Sequence, residues 1–121
     1  MTRIWVVTRM IVDGGVMMKK VFEVKTQFGF YKVFLRMDKY MTWKNLALQL
    51  YCVDYSPFAT ITVNIKKLRE GMAFIDTNNC PWAPAFLEEN GLATPTGEVV
   101  GQGFCVYPLY KFDMDKLKEV A

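Results

Sequence analysis

The stretch that decides the fold is Phe58-Ala59-Thr60-Ile61-Thr62-Val63-Asn64-Ile65, in which two kinds of side chain alternate along the chain. In an extended backbone its two threonines fall on one face, and Ala59, Ile61 and Val63 fall on the other. β-Branched residues of this kind also favour strands. The stretch therefore predicts a half-buried β-strand.

Strand patterns continue on the N-terminal side. Residues 21–25 and 30–37 alternate in the same way and flank Gln27-Phe28-Gly29, which is typical of a turn, so they predict a hairpin. Leucines 46, 48 and 50 align at period two and predict a further strand over residues 46–52. A helix is the alternative there, because Ala, Leu and Gln are good helix formers.

The C-terminal side begins with a short apolar strand over residues 72–76, followed by a helix over residues 82–91. Asn79 is placed to cap this helix, and Asn90-Gly91 is a typical helix end. Its buried stripe is predicted at Ala83, Phe86, Leu87 and Leu92.

The last third of the chain mixes turn residues with an aromatic run. Residues 93–103 contain one proline and three glycines and predict a loop. Residues 104–112 predict a strand in which Pro108, having no N–H group, requires a sheet edge or a bulge. Residues 113–120 predict a short helix capped by Asp113, or a frayed tail.

These elements indicate an α+β fold with a mostly antiparallel β-sheet of about five strands, one packed helix and a short C-terminal helix. We expect a single domain over residues 17–121. Residues 1–16 have two interpretations. They are a leader that precedes a start at Met17-Met18-Lys19-Lys20, or they form a hairpin arm or an extra edge strand, because the β-branched runs Ile4-Trp5-Val6-Val7 and Met10-Ile11-Val12 are bounded by Gly14-Gly15.

The amino-acid composition limits which catalytic groups and metal sites the chain can form. The chain has 15 Lys plus Arg against 12 Asp plus Glu, a formal charge of +3 and no histidine, which excludes Ser-His and Cys-His pairs and His-ligated metal sites. Three unpaired cysteines and the lack of about 18 consecutive apolar residues predict a cytoplasmic protein outside the membrane. We expect that the protein is not an enzyme and that it binds neither a metal ion nor a cofactor. An enzyme using Cys80 or Cys105 as nucleophile is the minor alternative.

Aromatic and basic residues are interleaved between residues 19 and 44. A sheet face that carries stacking rings and cations suits a nucleotide or single-stranded nucleic acid. The competing interpretation is that the rings belong to the core and the lysines form a solvated rim. Candidate nucleic-acid contacts are Tyr31, Lys32, Phe34, Arg36, Trp43 and Lys44.

Five ordered motifs carry a family resemblance: residues 57–64, 74–79, 88–92 and 95–97, and the run Gly101-Gln102-Gly103-Phe104-Cys105-Val106-Tyr107-Pro108-Leu109-Tyr110. With them the chain resembles the DUF4313-like family of short proteins over about residues 19–112. The resemblance implies a setting in phages, plasmids and conjugative elements of gut Firmicutes. It provides no catalytic residues to carry over to this chain.

Small proteins of such elements often block host defence. The resemblance thus implies a non-enzymatic, stoichiometric inhibitor of a host protein complex, such as a CRISPR nuclease or a restriction enzyme. The residues favour a contact surface that joins the turn at residues 77–82 to the 97–110 segment, because exposed aromatic rings and an unpaired sheet edge bind proteins well. Pairing of that edge, through Val106 and Leu109, with a second copy would give a homodimer instead of a monomer. Candidate partner-binding residues are Asn78, Asn79, Trp82, Phe104, Tyr107 and Tyr110.

Overall fold

The computed structural model describes residues 6–12 and 15–121, with side chains from Lys20 onward. The first sheet contains β1 (Val6–Val12), β2 (Gly15–Thr26), β3 (Gly29–Lys39), β4 (Leu46–Cys52) and β5 (Pro57–Thr60). The second contains β6 (Thr62–Val63), β7 (Met72–Ile75), β8 (Ala93–Gln102) and β9 (Cys105–Phe112). The helices are α1 (Ala83–Glu89) and α2 (Met114–Val120).

Every strand pairing is antiparallel, in the orders β1-β2-β3-β4-β5 and β6-β7-β9-β8. The predicted α+β class with antiparallel strands and a capped C-terminal helix is confirmed. The prediction of one sheet of about five strands underestimated the strand content of the described chain. Besides β1, which the sequence left open, two segments account for the difference, and each was assigned the wrong extent or type.

The first is the stretch over residues 58–65, which is divided between the sheets. Its beginning is β5, beside β4, and Thr62 starts β6, beside β7. The residue between them, Ile61, bonds in both directions: its N–H donates to the Leu48 carbonyl (3.1 Å), and its own carbonyl accepts from the Asp76 N–H (2.9 Å). Its side chain is fully buried. Ile61 therefore joins the two sheets.

The second segment is β8, which the sequence predicted as a loop. β8 is an edge strand whose side chains are almost all exposed, so it tolerates the glycines and Pro95 that suggested a loop. β9, expected at an edge, lies between β7 and β8. Pro108 lies at a bulge, which was the second possibility that the sequence predicted. It pairs with Val99, next to the register shift between Pro95 and Val99.

The β2–β3 hairpin and the strand alternative for β4 are confirmed. In β3 the predicted face of Val33 and Leu35 points into the core. The helices follow the prediction in part. Asp113 caps α2 by accepting from the Lys116 N–H at 3.1 Å, whereas α1 begins after Trp82 with no side-chain cap, so the predicted role of Asn79 was wrong.

One hydrophobic core connects both sheets and both helices. It includes the predicted stripe of α1, with Phe86, Leu87 and Leu92 buried, and it includes Leu117 and Val120 from α2. None of the helices in the described part of the chain is long and apolar enough to span a membrane.

At the N-terminus the backbone of β1 pairs with the first half of β2, from Val6 opposite Val21 to Val12 opposite Gly15. Residues 1–5, 13 and 14, which the arm hypothesis partly uses, lie outside the described residues. Whether residues 1–16 are a leader stays a prediction.

We expect Thr62→Val to destabilise the protein by about 1–3 kcal/mol, because the buried Thr62 hydroxyl accepts the Leu48 N–H (3.2 Å) beside the Ile61 junction and valine leaves that donor unsatisfied. Urea denaturation measures the change. Thr60→Val is the matched control on the exposed side of β5, with an expected change within about 0.5 kcal/mol. Equal stability of the two variants would contradict the role of Thr62.

Candidate functional site

Residues 76–82 form a turn that a buried carboxylate holds in place. Asp76 accepts hydrogen bonds from the backbone N–H of Asn79 (3.1 Å) and from its side-chain Nδ2 (2.9 Å). The Asp76 carbonyl accepts from the Cys80 N–H at 2.8 Å. Asn79 therefore braces this turn instead of capping the helix, and Trp82 follows at a fixed position beside β5.

Trp82 belongs to a continuous row of aromatic rings. Ring centroids are 5.1 Å apart for Tyr31 and Phe58, 5.5 Å for Phe58 and Trp82, and 6.2 Å for Trp82 and Phe86. These distances lie in the range of favourable aromatic pairs. The row extends from the core, where Phe86 is buried, to the surface, where Tyr31 is 36% exposed. It forms one wall of an open cavity.

We call this cavity, of about 480 Å³, the apolar cavity. It opens beside the β2–β3 turn, where Phe28 is 79% exposed. It brings together residues that the sequence placed in two separate candidate sites: Asn79 and Trp82 from the partner surface and Tyr31 from the nucleic-acid face. Its lining is Lys25, Thr26, Gln27, Phe28, Tyr31, Phe58, Asn79, Pro81 and Trp82.

The β8–β9 hairpin presents a second apolar feature. Its two-residue turn places Gly103 at φ 62°, a conformation suited to glycine, and puts Phe104 at the tip with its side chain fully exposed. Val99 (63% exposed) and Val106 (58% exposed) lie on one face of the hairpin, since Val99 pairs with Pro108 and Val106 pairs with Gly101. We call Val99, Phe104 and Val106 the hairpin face.

The hairpin contacts the turn over residues 76–82. The Thr77 hydroxyl donates to the Val106 carbonyl at 3.5 Å. A hydrogen bond with Cys105 raises the pKa of the Tyr107 phenol, and desolvation and the charge of Asp76 act in the same direction. Tyr107 is thus close to the base of the turn, and the hydrogen bond between Thr77 and Val106 joins the hairpin to the turn in which Asn78 and Asn79 are exposed.

A family model described as Domain of unknown function (DUF4313) matches residues 34–121. The chain belongs to the DUF4313 family. No curated protein and no solved structure matched the chain.

The DUF4313 match begins in the middle of β3. It includes the hairpin face, the turn and Trp82, but the wall of the apolar cavity formed by residues 25–31 precedes it.

Tyr110, expected at the contact surface of this DUF4313 protein, lies in the core. It is 4% exposed, and its hydroxyl donates to Glu88 Oε2 at 2.7 Å. Burial and this hydrogen bond raise the pKa of Tyr110 to about 12. Of the six predicted partner residues, the structure therefore brings Asn78, Asn79, Trp82 and Tyr107 around one turn, places Phe104 at the hairpin tip, and removes Tyr110 from the surface.

The predicted nucleic-acid face does not assemble. Tyr31 lies on the same face of β3 as the core residue Val33, whereas Lys32 and Arg36 lie on the opposite face. Phe34, on that opposite face, is 4% exposed and packs against Tyr51 and Tyr55 at centroid distances of 5.7 and 5.3 Å. Of the predicted rings, Tyr31 therefore lies on the wrong face and Phe34 is buried, and the exposed ring beside Lys32 on this face is Phe30 (64% exposed), which the prediction did not include.

Trp43 and Lys44 occupy the β3–β4 turn, where both have left-handed backbones at φ 64° and 58°. This conformation costs L-residues about 1–2 kcal/mol each. The buried Asn45 holds the turn: its Nδ2 donates to Asn64 Oδ1 (2.9 Å) and to the Lys66 carbonyl (2.7 Å), and its Oδ1 accepts from the Leu68 N–H (3.1 Å). The surrounding structure therefore maintains a strained turn.

The turn borders a second cavity of about 570 Å³, which we call the basic cavity. It lies at the other end of β3 from the apolar cavity. Its lining combines apolar side chains with four cations and two carboxylates: Met37, Asp38, Lys39, Trp43, Lys44, Asn45, Leu46, Leu68, Arg69, Glu70, Gly71, Met114 and Lys118.

The candidate nucleophile Cys80 is buried beside Asp76, and desolvation, followed by that charge, raises the pKa of its thiol to about 11. It is therefore protonated at neutral pH, unlike an activated thiolate. Among the residues that the structure describes, no group of three Cys, Asp or Glu side chains is arranged to hold a metal ion.

Sequence reasoning missed three residues of the apolar cavity and its turn. Phe28 was assigned to a turn and to the interleaved aromatic and basic residues, and Phe58 to a strand, yet both line the apolar cavity. Asp76 was assigned to the end of the strand over residues 72–76, without its role in holding the turn. Asp and Asn favour turns, so the available signal was the presence of Asp76, Asn78 and Asn79 within four residues.

We expect the stability of the protein to fall as the pH rises from about 10 to 12. The fold favours the neutral phenol of Tyr110, so its contribution is complete below the unfolded pKa of about 10 and is lost as the pH passes the folded pKa of about 12. Denaturation at a series of pH values tests this. Tyr110→Phe should flatten the dependence, and an equally steep curve in that variant would contradict the assignment.

We expect Lys44→Gly to raise the free energy of unfolding by about 0.5–1 kcal/mol, because glycine adopts the left-handed conformation without strain and this gain exceeds its entropic cost. Lys67→Gly, at an exposed position with ordinary φ, is the control and should destabilise by a similar amount. Thermal or urea unfolding gives both values. Destabilisation by Lys44→Gly would show that the turn is not strained.

Proposed function

We propose that this DUF4313 protein is a non-enzymatic binding protein that docks on another protein through the hairpin face and the apolar cavity, which the turn over residues 76–82 connects. The observation that carries the proposal is Phe104, a large aromatic side chain that is fully exposed at the tip of an ordered hairpin. Aromatic side chains dominate protein interfaces when they are buried centrally. Phe104 has the position and chemistry of such an anchor.

The energetics favour a protein as the occupant. Transfer of Phe104, Val99 and Val106 from water into an interface contributes about 1.5–3 kcal/mol for each fully buried side chain. The three belong to one two-stranded element, so little order is lost on binding. The apolar cavity offers the complementary feature, a concave aromatic surface that accepts an apolar side chain of the partner.

The partner we propose is a host defence complex, such as a nuclease, that the protein inhibits stoichiometrically. The resemblance to proteins of mobile elements supports this setting, and the hairpin face supports the docking mode. Single-stranded nucleic acid on the sheet face has less support, because Phe34 is buried and Tyr31 lies on the other face. A protein partner is therefore the better occupant.

The experiment starts with tagged full-length protein as bait in a host lysate, followed by affinity measurement with the purified candidate partner. We expect Phe104→Ser to weaken binding at least about 10-fold, which corresponds to loss of one buried aromatic anchor. Met41→Ser is the matched control, since Met41 is 90% exposed but belongs to the β3–β4 turn. Equal affinities of both variants and the wild type would overturn the docking surface.

Inhibition is tested with the same pair of variants. For a partner with nuclease activity, titration should reduce cleavage linearly to an end point at one inhibitor per partner. Phe104→Ser should shift the titration to higher concentration, and Met41→Ser should not. Substoichiometric, time-dependent inactivation would indicate an enzyme and contradict the proposal.

A further inference from the structure

The basic cavity carries an excess of positive charge. Four cations line it, Lys39, Lys44, Arg69 and Lys118, against the carboxylates of Asp38 and Glu70, which leaves a net charge of +2. In the part of the chain with described side chains, the recorded ion pairs are Lys20 with Glu119 and Arg36 with Asp38. None of the four cavity cations is in such a pair, and so they are available to an anion.

Asp38 does little to neutralise this charge. Its Oδ1 accepts from the Lys39 backbone N–H at 2.8 Å, and its Oδ2 faces Arg36, which is outside the cavity, at 3.8 Å. Glu70 is then the one remaining acid in the lining. Several cations around one concave site suit a phosphate group, which accepts several charge-assisted hydrogen bonds.

The rest of the lining indicates that the anion carries a ring. Met37, Leu46, Leu68 and Met114 supply apolar walls, which an inorganic ion would leave exposed. Trp43 adds an indole that is 45% exposed and is held there by the left-handed turn. Stacking of a planar base on such a ring is favourable. The volume of about 570 Å³ lies within the range of small-molecule sites.

We propose that the basic cavity binds a nucleoside monophosphate group, with the base stacked on Trp43 and the phosphate held by Lys44, Arg69 and their neighbouring lysines. This site is separate from the proposed docking surface, at the opposite end of β3. It differs from the nucleic-acid face suggested by the sequence, because it retains only Trp43 and Lys44 of that set and replaces the rest. The strain in the turn is consistent with a role in ligand binding.

The test uses calorimetric titration of the full-length protein with the four ribonucleoside monophosphates at low and moderate salt. We expect at least one to bind with a dissociation constant below about 1 mM, and we expect inorganic phosphate and the matching nucleoside to bind more weakly. A short single-stranded oligonucleotide is the second source of the same group. Tighter binding of the monophosphate than of the oligonucleotide, per site, identifies a free nucleotide; the reverse identifies a strand.

Two variants and a control locate the site. Trp43→Ala should weaken binding at least about 5-fold through loss of stacking. Lys44→Gln should weaken it and reduce the salt dependence by about one phosphate contact. Lys67→Gln, exposed and outside the lining, should bind as the wild type does. Circular dichroism verifies that each variant is folded.

The proposal is overturned if no monophosphate binds at millimolar concentration, if inorganic phosphate binds as tightly as the nucleotide, or if Lys67→Gln has the same effect as Lys44→Gln. Phe104→Ser should leave nucleotide binding unchanged, so failure of the docking surface and failure of the basic cavity give different results.

Discussion

The joint at Ile61 and Thr62 is the constraint on which the rest of the structure depends. Ile61 donates its N–H to the Leu48 carbonyl of the first sheet, and its own carbonyl accepts from the Asp76 N–H, which follows β7 of the second sheet. The next residue, Thr62, accepts the Leu48 N–H with its side-chain hydroxyl. The bond from Asp76 to the Ile61 carbonyl also starts the turn that positions Trp82. Two residues later, Asn64 accepts from Asn45 and thereby fixes the turn that carries Trp43. Both cavities are therefore positioned from one short segment.

The sequence identified most elements of the fold but not the way they divide into sheets. Alternation at residues 58–65 correctly indicated extended chain, yet alternation is the same whether a strand continues or changes partner at Ile61, and no glycine or proline marks the change. At β8 the opposite difficulty arose. The glycines and the proline of residues 93–103 predicted a loop, but these residues form an exposed edge strand with a register shift. Glycine and proline destabilise a strand little at such a position. Tertiary pairing decided both cases.

The candidate site was predictable where local chemistry determined it. Turn and helix signals meet at Asn79 and Trp82, and Phe104 was selected as an exposed aromatic; the structure has Asn79 in the turn and Phe104 at the hairpin tip. Tyr110 was misplaced because β9 is buried on both faces near its end: Leu109 points to one side and Tyr110 to the other, and both are 4% exposed. Period-two alternation then cannot separate a surface aromatic from a core aromatic. The contact of Tyr31 with Phe58 joins distant segments and left no local signal.

The two cavities differ in how their residues affect the stability of the fold. The apolar cavity consists of aromatic rings that also pack on one another, so the same contacts that shape it stabilise the protein. The basic cavity gathers unpaired cations beside two left-handed residues, and both features oppose stability. A hydrogen-bonded asparagine pair, Asn45 and Asn64, offsets that cost. Glycine or asparagine in place of Trp43 and Lys44 would remove the backbone strain of this turn. Because the chain instead has two strained residues that a buried polar network holds in place, ligand binding explains the turn better than folding alone.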